Sequence, residues 1–266
     1  MNSELFAIKQ IQLTDLNAYE KSKIFSEVNN LIKVRSKYVV HYYDSWSYRE
    51  YLYIQMELCS QSLTKIIEIK AQVFKRQIGV PMNSIEYLIS CQIFQQLLES
   101  VQYLHELNPQ IIHRDLKPDN ILIARDVRNG RFVKLCDFGL ATVHDKRVNY
   151  RTTRKHTADI GDLRYQAPEI SQGKKYGHKS DIYSLALIGA ELFAMDLFTL
   201  NCDRPCDYSE TTPILNDRVH KLQTTLMAMI SHPLWDNRPE CSEVLGKYTG
   251  WSINKDLILF DSQYES

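Results

Sequence analysis

Apolar and polar positions divide the chain into a front of short strands and a back of longer helices. Leu5 to Leu13 is a short apolar-rich run followed by polar residues, which predicts a strand. From about Ala18 to Val34, the residues Ile24, Val28, Leu31 and Ile32 recur at helical spacing among charged side chains. Val39 to Tyr43 and Tyr51 to Leu58, rich in β-branched and aromatic residues, predict two further strands, with Ser45 to Glu50 as their hairpin connection. Asn83 followed by Glu86 resembles a capping box and opens a long amphipathic helix that Pro109 closes. Its stripe of Ile85, Leu88, Ile89, Ile93, Leu97, Val101 and Leu104 reads as core packing. Ile121 to Ile123 and Phe132 to Leu135 predict short strands around a turn at Asn129-Gly130. A second buried helix is predicted over Ser180 to Ala194, and the pattern after Thr212 is helical before a polar tail. No internal repeat or low-complexity linker interrupts the chain. The change of pattern near Cys59 to Ser62 predicts an α+β fold of two lobes, over residues 1–59 and 60–252, with a tail at 253–266.

With 266 residues, the chain can bury one large core or two smaller ones meeting at a cleft. Lys plus Arg and Asp plus Glu both number 32, so the formal net charge is zero. That argues against bulk attraction to nucleic acid or an anionic membrane, and no nucleic-acid partner is expected. None of the six cysteines forms a Cys-x-x-Cys pair; Cys202 and Cys206 are close but lack a second pair, and they read as reduced thiols. Residues 1–30 carry charges throughout, and the longest apolar stretch, Ile182 to Met195, contains Glu191 and is too short to span a bilayer. A cytoplasmic location, or the cytosolic part of a larger protein, is expected.

The densest chemistry lies in His113-Arg114-Asp115-Leu116-Lys117-Pro118-Asp119-Asn120, followed by Asp137-Phe138-Gly139. An acid, a lysine and an amide fall within eight residues, and a second acid lies 22 residues after the first. Phosphoryl transfer from a magnesium nucleotide needs a carboxylate for the incoming hydroxyl, a cation near the moving phosphate and oxygen ligands for a hard metal ion. The stretch resembles the eukaryotic protein kinase catalytic domain, a two-lobed fold with a small β-rich lobe and a larger helical one. That resemblance implies ATP and Mg2+ as cofactors and a protein as substrate. It makes Asp115 the acid that orients the substrate hydroxyl and accepts its proton, and Lys117 the cation that neutralises charge on the transferred phosphate. A lysine two residues after the acid is the serine/threonine kinase pattern. Asn120 and Asp137 match the two magnesium ligands. Phe6-Ala7-Ile8-Lys9 resembles the strand whose lysine pairs with the nucleotide phosphates, with Glu27 as the partner of Lys9 and Glu20 as the nearest rival. Met56-Glu57-Leu58-Cys59 resembles the adenine hinge: Met56 as gatekeeper, the backbones of Glu57 and Cys59 against the base edge, and Ala7 with Leu122 sandwiching the ring. Ala167-Pro168-Glu169 closes the activation segment, with Glu169 expected to pair with Arg238 and Asp181 to brace the catalytic loop. Thr152, Thr153 and Thr157 lie among Arg147, Arg151, Arg154 and Lys155. Thr157 is the favoured phosphorylation switch, read through Arg114.

Three segments resemble the kinases that phosphorylate the α subunit of translation initiation factor 2: His41 to Trp46, Tyr53 to Cys59, and His156 to Glu169. A translation initiation factor as substrate and a homodimer follow from that narrower resemblance. Two departures stand against the family pattern. The first glycine is Gly79 and only eight residues precede Lys9, so the glycine-rich hairpin that covers the phosphates is not in this sequence; an incomplete start and a natural short form both account for this. Asp162 follows Gly161 where serine/threonine kinases usually have threonine, and it is expected to compete for Lys117 and to raise a carboxylate pKa or distort the loop. A rival to the enzyme is a non-catalytic interaction module that keeps the fold.

Overall fold

Residues Phe6–Gln12 form β1, and their alternating side chains line the two faces of a sheet in a computed structural model that describes residues 5–77, 80–144, 162–172, 177–198, 213–231 and 233–256. The sheet order is β1-β3-β2, all antiparallel, with β2 at Tyr42–Tyr48 and β3 at Tyr51–Glu57. Register sets Ala7 opposite Met56 and Lys9 opposite Ile54, so a period of two brings Ala7, Lys9 and Met56 to the same face. The β2–β3 connection is tighter than the sequence predicts. Ser45 to Tyr48 are strand rather than connection, only Arg49 and Glu50 turn, and Arg49 takes a left-handed φ of 53°. The physical reason is cross-strand: Trp46 stacks on Tyr53 at 5.5 Å and holds the strand past the predicted break. Val39, in turn, leaves the hairpin and bridges to Leu135.

Helix α1 (Ala18–Lys33) buries Val28 and Leu31 together with Leu52 and Ile54 of β3. Ile32, counted in the predicted stripe, is half exposed, because this helix buries a narrow face. A second sheet, β4-β6-β7, joins Cys59–Ser62, Ile121–Arg128 and Arg131–Leu135. Asn129 and Gly130, both at positive φ, make its β6–β7 turn.

Helix α2 (Leu63–Val73), which the periodicity does not reveal, leads to α3 (Ser84–Glu106). Asn83 caps α3 by accepting from Glu86 N at 2.8 Å. The Glu86 side chain does not complete a capping box: it turns inward to Arg76 Nε at 3.0 Å, with Lys70 Nζ of α2 at 3.6 Å. Lys70 also donates to Ser90 Oγ and to Leu192 O, and burial pushes its pKa down to about 8 despite the neighbouring Glu86. Ile85 and Ile89 of the predicted stripe face solvent, while Tyr87, Cys91, Phe94 and Leu98 are buried. α3 is enclosed on more than one side, so its apolar surface is wider than a single stripe.

After the short α4 (Pro168–Ser171), α5 (Lys179–Leu192) packs against α3 and is almost wholly buried. Gly189 permits this approach: a Cβ there would lie 2.9 Å from Leu226 and 3.0 Å from Phe94. Phe94 meets Phe193 and Trp251 edge to face, and α6 (Pro213–Met229) also packs on α5. Strand-rich and helical parts thus form the two lobes expected from the resemblance. Among the described residues no helix is long and apolar enough to cross a membrane.

Candidate active site

The polar stretch after β5 (Gln110–Ile112) owes its shape to a residue far along the chain. Asp181, in the first turn of α5, accepts from His113 N and Arg114 N, each at 2.9 Å, and its Oδ2 lies 2.9 Å from His105 Nε2. Burial would raise the Asp181 pKa, but the His105 bond and charge, His113 and the Arg114 amide outweigh it and leave the value below the usual aspartate range. Arg114 is thereby held at a left-handed φ of 70°. The His113 ring is buried, within 3.1 Å of Cys136 O and 4.9 Å from the Phe138 ring.

Asp115 then emerges with both carboxylate oxygens engaged. Oδ2 accepts from Asn120 Nδ2 at 2.9 Å and lies 3.2 Å from Lys117 Nζ, while Oδ1 accepts from Asp162 N at 3.3 Å. Asn120 Nδ2 also donates to Asp115 O at 2.8 Å, which leaves its side-chain carbonyl as the group it can offer elsewhere.

The second cluster joins the lobes. Lys9 Nζ lies 2.6 Å from Glu27 Oε1 and 3.5 Å from Asp137 Oδ1. Glu20, the rival partner, instead exchanges bonds with Asn17 at the start of α1. Burial lowers the Lys9 pKa, but two carboxylates outweigh it and hold the value above the ordinary lysine range. Glu27 is raised, since burial and the like charge of Asp137 together exceed the pull of one ammonium. A side chain at Gly139 would come within 3.3 Å of Asp137 Oδ1 and 3.4 Å of Glu27 Oε2.

Between the lobes lies a cavity of about 340 Å³. Ala7, Lys9, Glu27, Met56, Glu57, Cys59, Leu122, Asn120 and Asp137 all line it. Asp115 and Lys117 do not line it; Asn120, which does, is bonded to Asp115. Glu57 turns its carboxylate to Lys134 at 2.8 Å, and its N–H is already bonded to His41 O. As a hinge residue it therefore has no backbone donor to give. Burial, then the charge of Glu57, pushes the Cys59 thiol up to about 11; burial, then Asp137, pushes Cys136 up to about 12. Both stay protonated near neutrality and make neutral walls.

Asp162 does not behave as its sequence context predicts. Its carboxylate is gripped by Arg164, with Oδ2 2.7 Å from Nη2 and Oδ1 accepting from both Nε and the backbone N of Arg164. The Arg164 bonds, with a smaller share from the Lys117 charge, hold the Asp162 carboxyl below the usual range rather than raising it, while Lys117 lies 3.2 Å from Asp115. The arginine two residues on is the signal in the sequence for this pairing. Asn30 lies outside the motifs: three positions after Glu27 on α1, it is buried and donates to Phe138 O and Ala141 O. A polar residue on the apolar face of a predicted helix could have marked it.

Glu169 and Arg238 form a two-pronged ion pair of 2.6 and 2.9 Å, fully buried. Gly161, Thr152, Thr153, Thr157, Cys202 and Cys206 lie outside the described residues.

The family model described as the protein kinase domain matches residues 1–251. Eukaryotic translation initiation factor 2-alpha kinase 3 of Rattus norvegicus is 38% identical over 149 residues, which cover 53% of this chain and 12% of that protein. The interferon-induced, double-stranded RNA-activated protein kinase of Mus musculus is 26% identical over 94% of this chain and 47% of its own length. A membrane-associated tyrosine- and threonine-specific cdc2-inhibitory kinase of Caenorhabditis briggsae is 33% identical over 70% of this chain and 24% of its own. The chain thus spans less than half the length of these curated relatives. With a match over nearly its whole length, this chain belongs to the protein kinase domain family.

Proposed function

We propose that this chain transfers the γ-phosphoryl group of ATP to serine or threonine hydroxyls of a protein. The observation that carries this reading is the convergence of Lys9, Glu27, Asn120 and Asp137 on one interlobe cavity that is also lined by Ala7, Met56, Cys59 and Leu122. The cleft combines an apolar slot for a flat base with a charged end for phosphates.

Asp137 and Asn120 offer hard oxygen donors, which fit Mg2+. Among the described residues no three His, Cys, Asp or Glu side chains gather to hold a metal by themselves. Two oxygens suit an ion that keeps its waters and arrives with the phosphates. When bound, magnesium ATP supplies the electrophilic phosphorus, its leaving group and the counter-charge. Lys9, held by Glu27, pairs with the phosphates. Asp115 aligns the acceptor hydroxyl and takes its proton; Asn120 and the Asp162 amide fix its two oxygens. Lys117, 3.2 Å from Asp115, neutralises charge as it develops on the transferred group. The pairing of Asp162 with Arg164 supports this reading over that of a non-catalytic module, because it leaves Lys117 to Asp115.

We further infer that the substrate is the α subunit of translation initiation factor 2. Two relatives, 38% and 36% identical over about half of this chain, carry names as its kinases. Incubation of the purified chain with labelled ATP, Mg2+ and that subunit tests both levels. Transfer to a generic protein but not to the α subunit removes the substrate assignment. Absence of transfer to any protein, under conditions where magnesium ADP binds, removes the enzyme. Label on tyrosine in place of serine or threonine would favour the specificity named for the cdc2-inhibitory relative.

A further inference from the structure

Asn30 is a polar residue in an apolar setting, buried to 5% exposure beside Leu31. Its amide nitrogen carries two hydrogens and spends them on two carbonyls of one turn, Phe138 O at 3.4 Å and Ala141 O at 3.1 Å. Carbonyls only accept, so the orientation of the amide is fixed by its partners. The turn is closed by its own bond, Ala141 N to Phe138 O at 3.1 Å. It begins directly after Asp137, which is held at a left-handed φ of 60°. Glu27 and Asn30 lie three residues apart and so share a face of α1. One grips Lys9 at 2.6 Å; the other grips the backbone that carries Asp137.

We propose that Asn30 is a positioning residue for Asp137: by clamping the turn at 138–141 to α1, it keeps the Asp137 carboxylate facing the cleft. Displacement of α1 and withdrawal of that carboxylate then become one event, since the same helix face holds both. The inference rests on the reading of Asp137 as the carboxylate on the metal side of the site. Asn30 itself touches neither nucleotide nor metal. Leucine here would leave the helix with nothing to give the two carbonyls, and aspartate would set a charge against them.

The test compares Asn30→Leu, Asn30→Asp and Val219→Ala in the whole chain. Val219 is a buried residue of α6, a helix that packs on α5 and on the short helix Tyr248–Trp251, and its truncation controls for lost stability. Two quantities are read: the Mg2+ concentration that half-saturates phosphotransfer, and the gain in ADP affinity that Mg2+ brings, by calorimetry. Asn30→Leu is expected to raise the first about tenfold and to shrink the second about as much, with Asn30→Asp nearer a hundredfold, as for groups that orient metal ligands. ADP affinity without Mg2+ stays within about twofold in both, because the base slot is untouched. Val219→Ala lowers the melting temperature and shifts neither magnesium quantity. Wild-type turnover with no magnesium effect in either Asn30 variant overturns the inference and leaves the kinase reading in place. No wild-type turnover, with the affinity gain present and lost in Asn30→Leu, does the reverse. If Val219→Ala shifts the magnesium quantities as far as Asn30→Leu, the effect is general destabilisation and the inference falls. A wild-type chain with neither turnover nor a magnesium-dependent gain overturns both.

Discussion

The ion pairs of the cleft and those of the helical lobe use the same side-chain chemistry to opposite ends. Arg238 and Glu169 are both fully buried, and their charges are closed on each other; the guanidinium also meets Ser231 O and Lys179 O. In the cleft, Lys9 remains one-third exposed and is shared by Glu27 and Asp137. One ammonium serving two carboxylates leaves excess negative charge facing the cavity. A closed pair can only hold segments together, whereas an open set can still take up a cation and a phosphate. Lys70 is a third case, in which burial outweighs the pairing with Glu86 and the cation is weakened.

Substitutions can break this contrast, beginning with the largest effect. Asp115→Asn should reduce the initial rate of phosphotransfer by about 10³-fold or more while leaving the melting temperature unchanged. A rate within tenfold of wild type would remove Asp115 from the chemistry. Arg238→Ala leaves Glu169 buried and unpaired, and should cost about 3–5 kcal/mol in urea denaturation. A cost below about 1 kcal/mol, typical of surface pairs, would dissolve the distinction between closed and open sets. Lys9→Met should slow phosphotransfer about 100-fold, read as the initial rate with labelled ATP. The subtlest test concerns Lys70. Its folded pKa of about 8 lies below the ordinary value of 10.5, so the unfolded chain binds the extra proton between these values. Stability from this group therefore rises as pH increases from about 8 to 10.5 and is flat beyond, by on the order of 3 kcal/mol. Subtracting the Lys70→Met curve from wild type should isolate that rise; parallel curves would mean the lysine is not desolvated.

Local pattern made the strands and helices legible wherever one neighbour decided the outcome. β1, α1, the β6–β7 turn and α5 follow from alternation, helical spacing and Asn-Gly chemistry. Errors arose where a distant partner intervened. Trp46 extends β2 because Tyr53 lies across from it, and Ile85 and Ile89 face solvent because α3 is buried by neighbours on other sides. Within the site, residues with a motif role could be named from the family pattern, and the fold brings most of them to one cavity. Asn30 and Arg164 are not legible in the sequence motifs because each acts on the backbone or charge of another residue, and no spacing rule announces such a partner. Arg164 likewise takes up the Asp162 carboxylate, a partner that the family pattern does not contain.

Asp181 carries an implication for how the protein comes into being. The amides it holds belong to residues 68 and 67 positions earlier, and one of them is that of Arg114, the residue at the left-handed turn. During synthesis, then, the segment around Asp115 leaves the ribosome well before the carboxylate that shapes it. A nascent chain that ends before α5 carries every residue of the catalytic stretch and still lacks its geometry. Competence for transfer should switch on late and abruptly, when the helical core closes and delivers that one side chain.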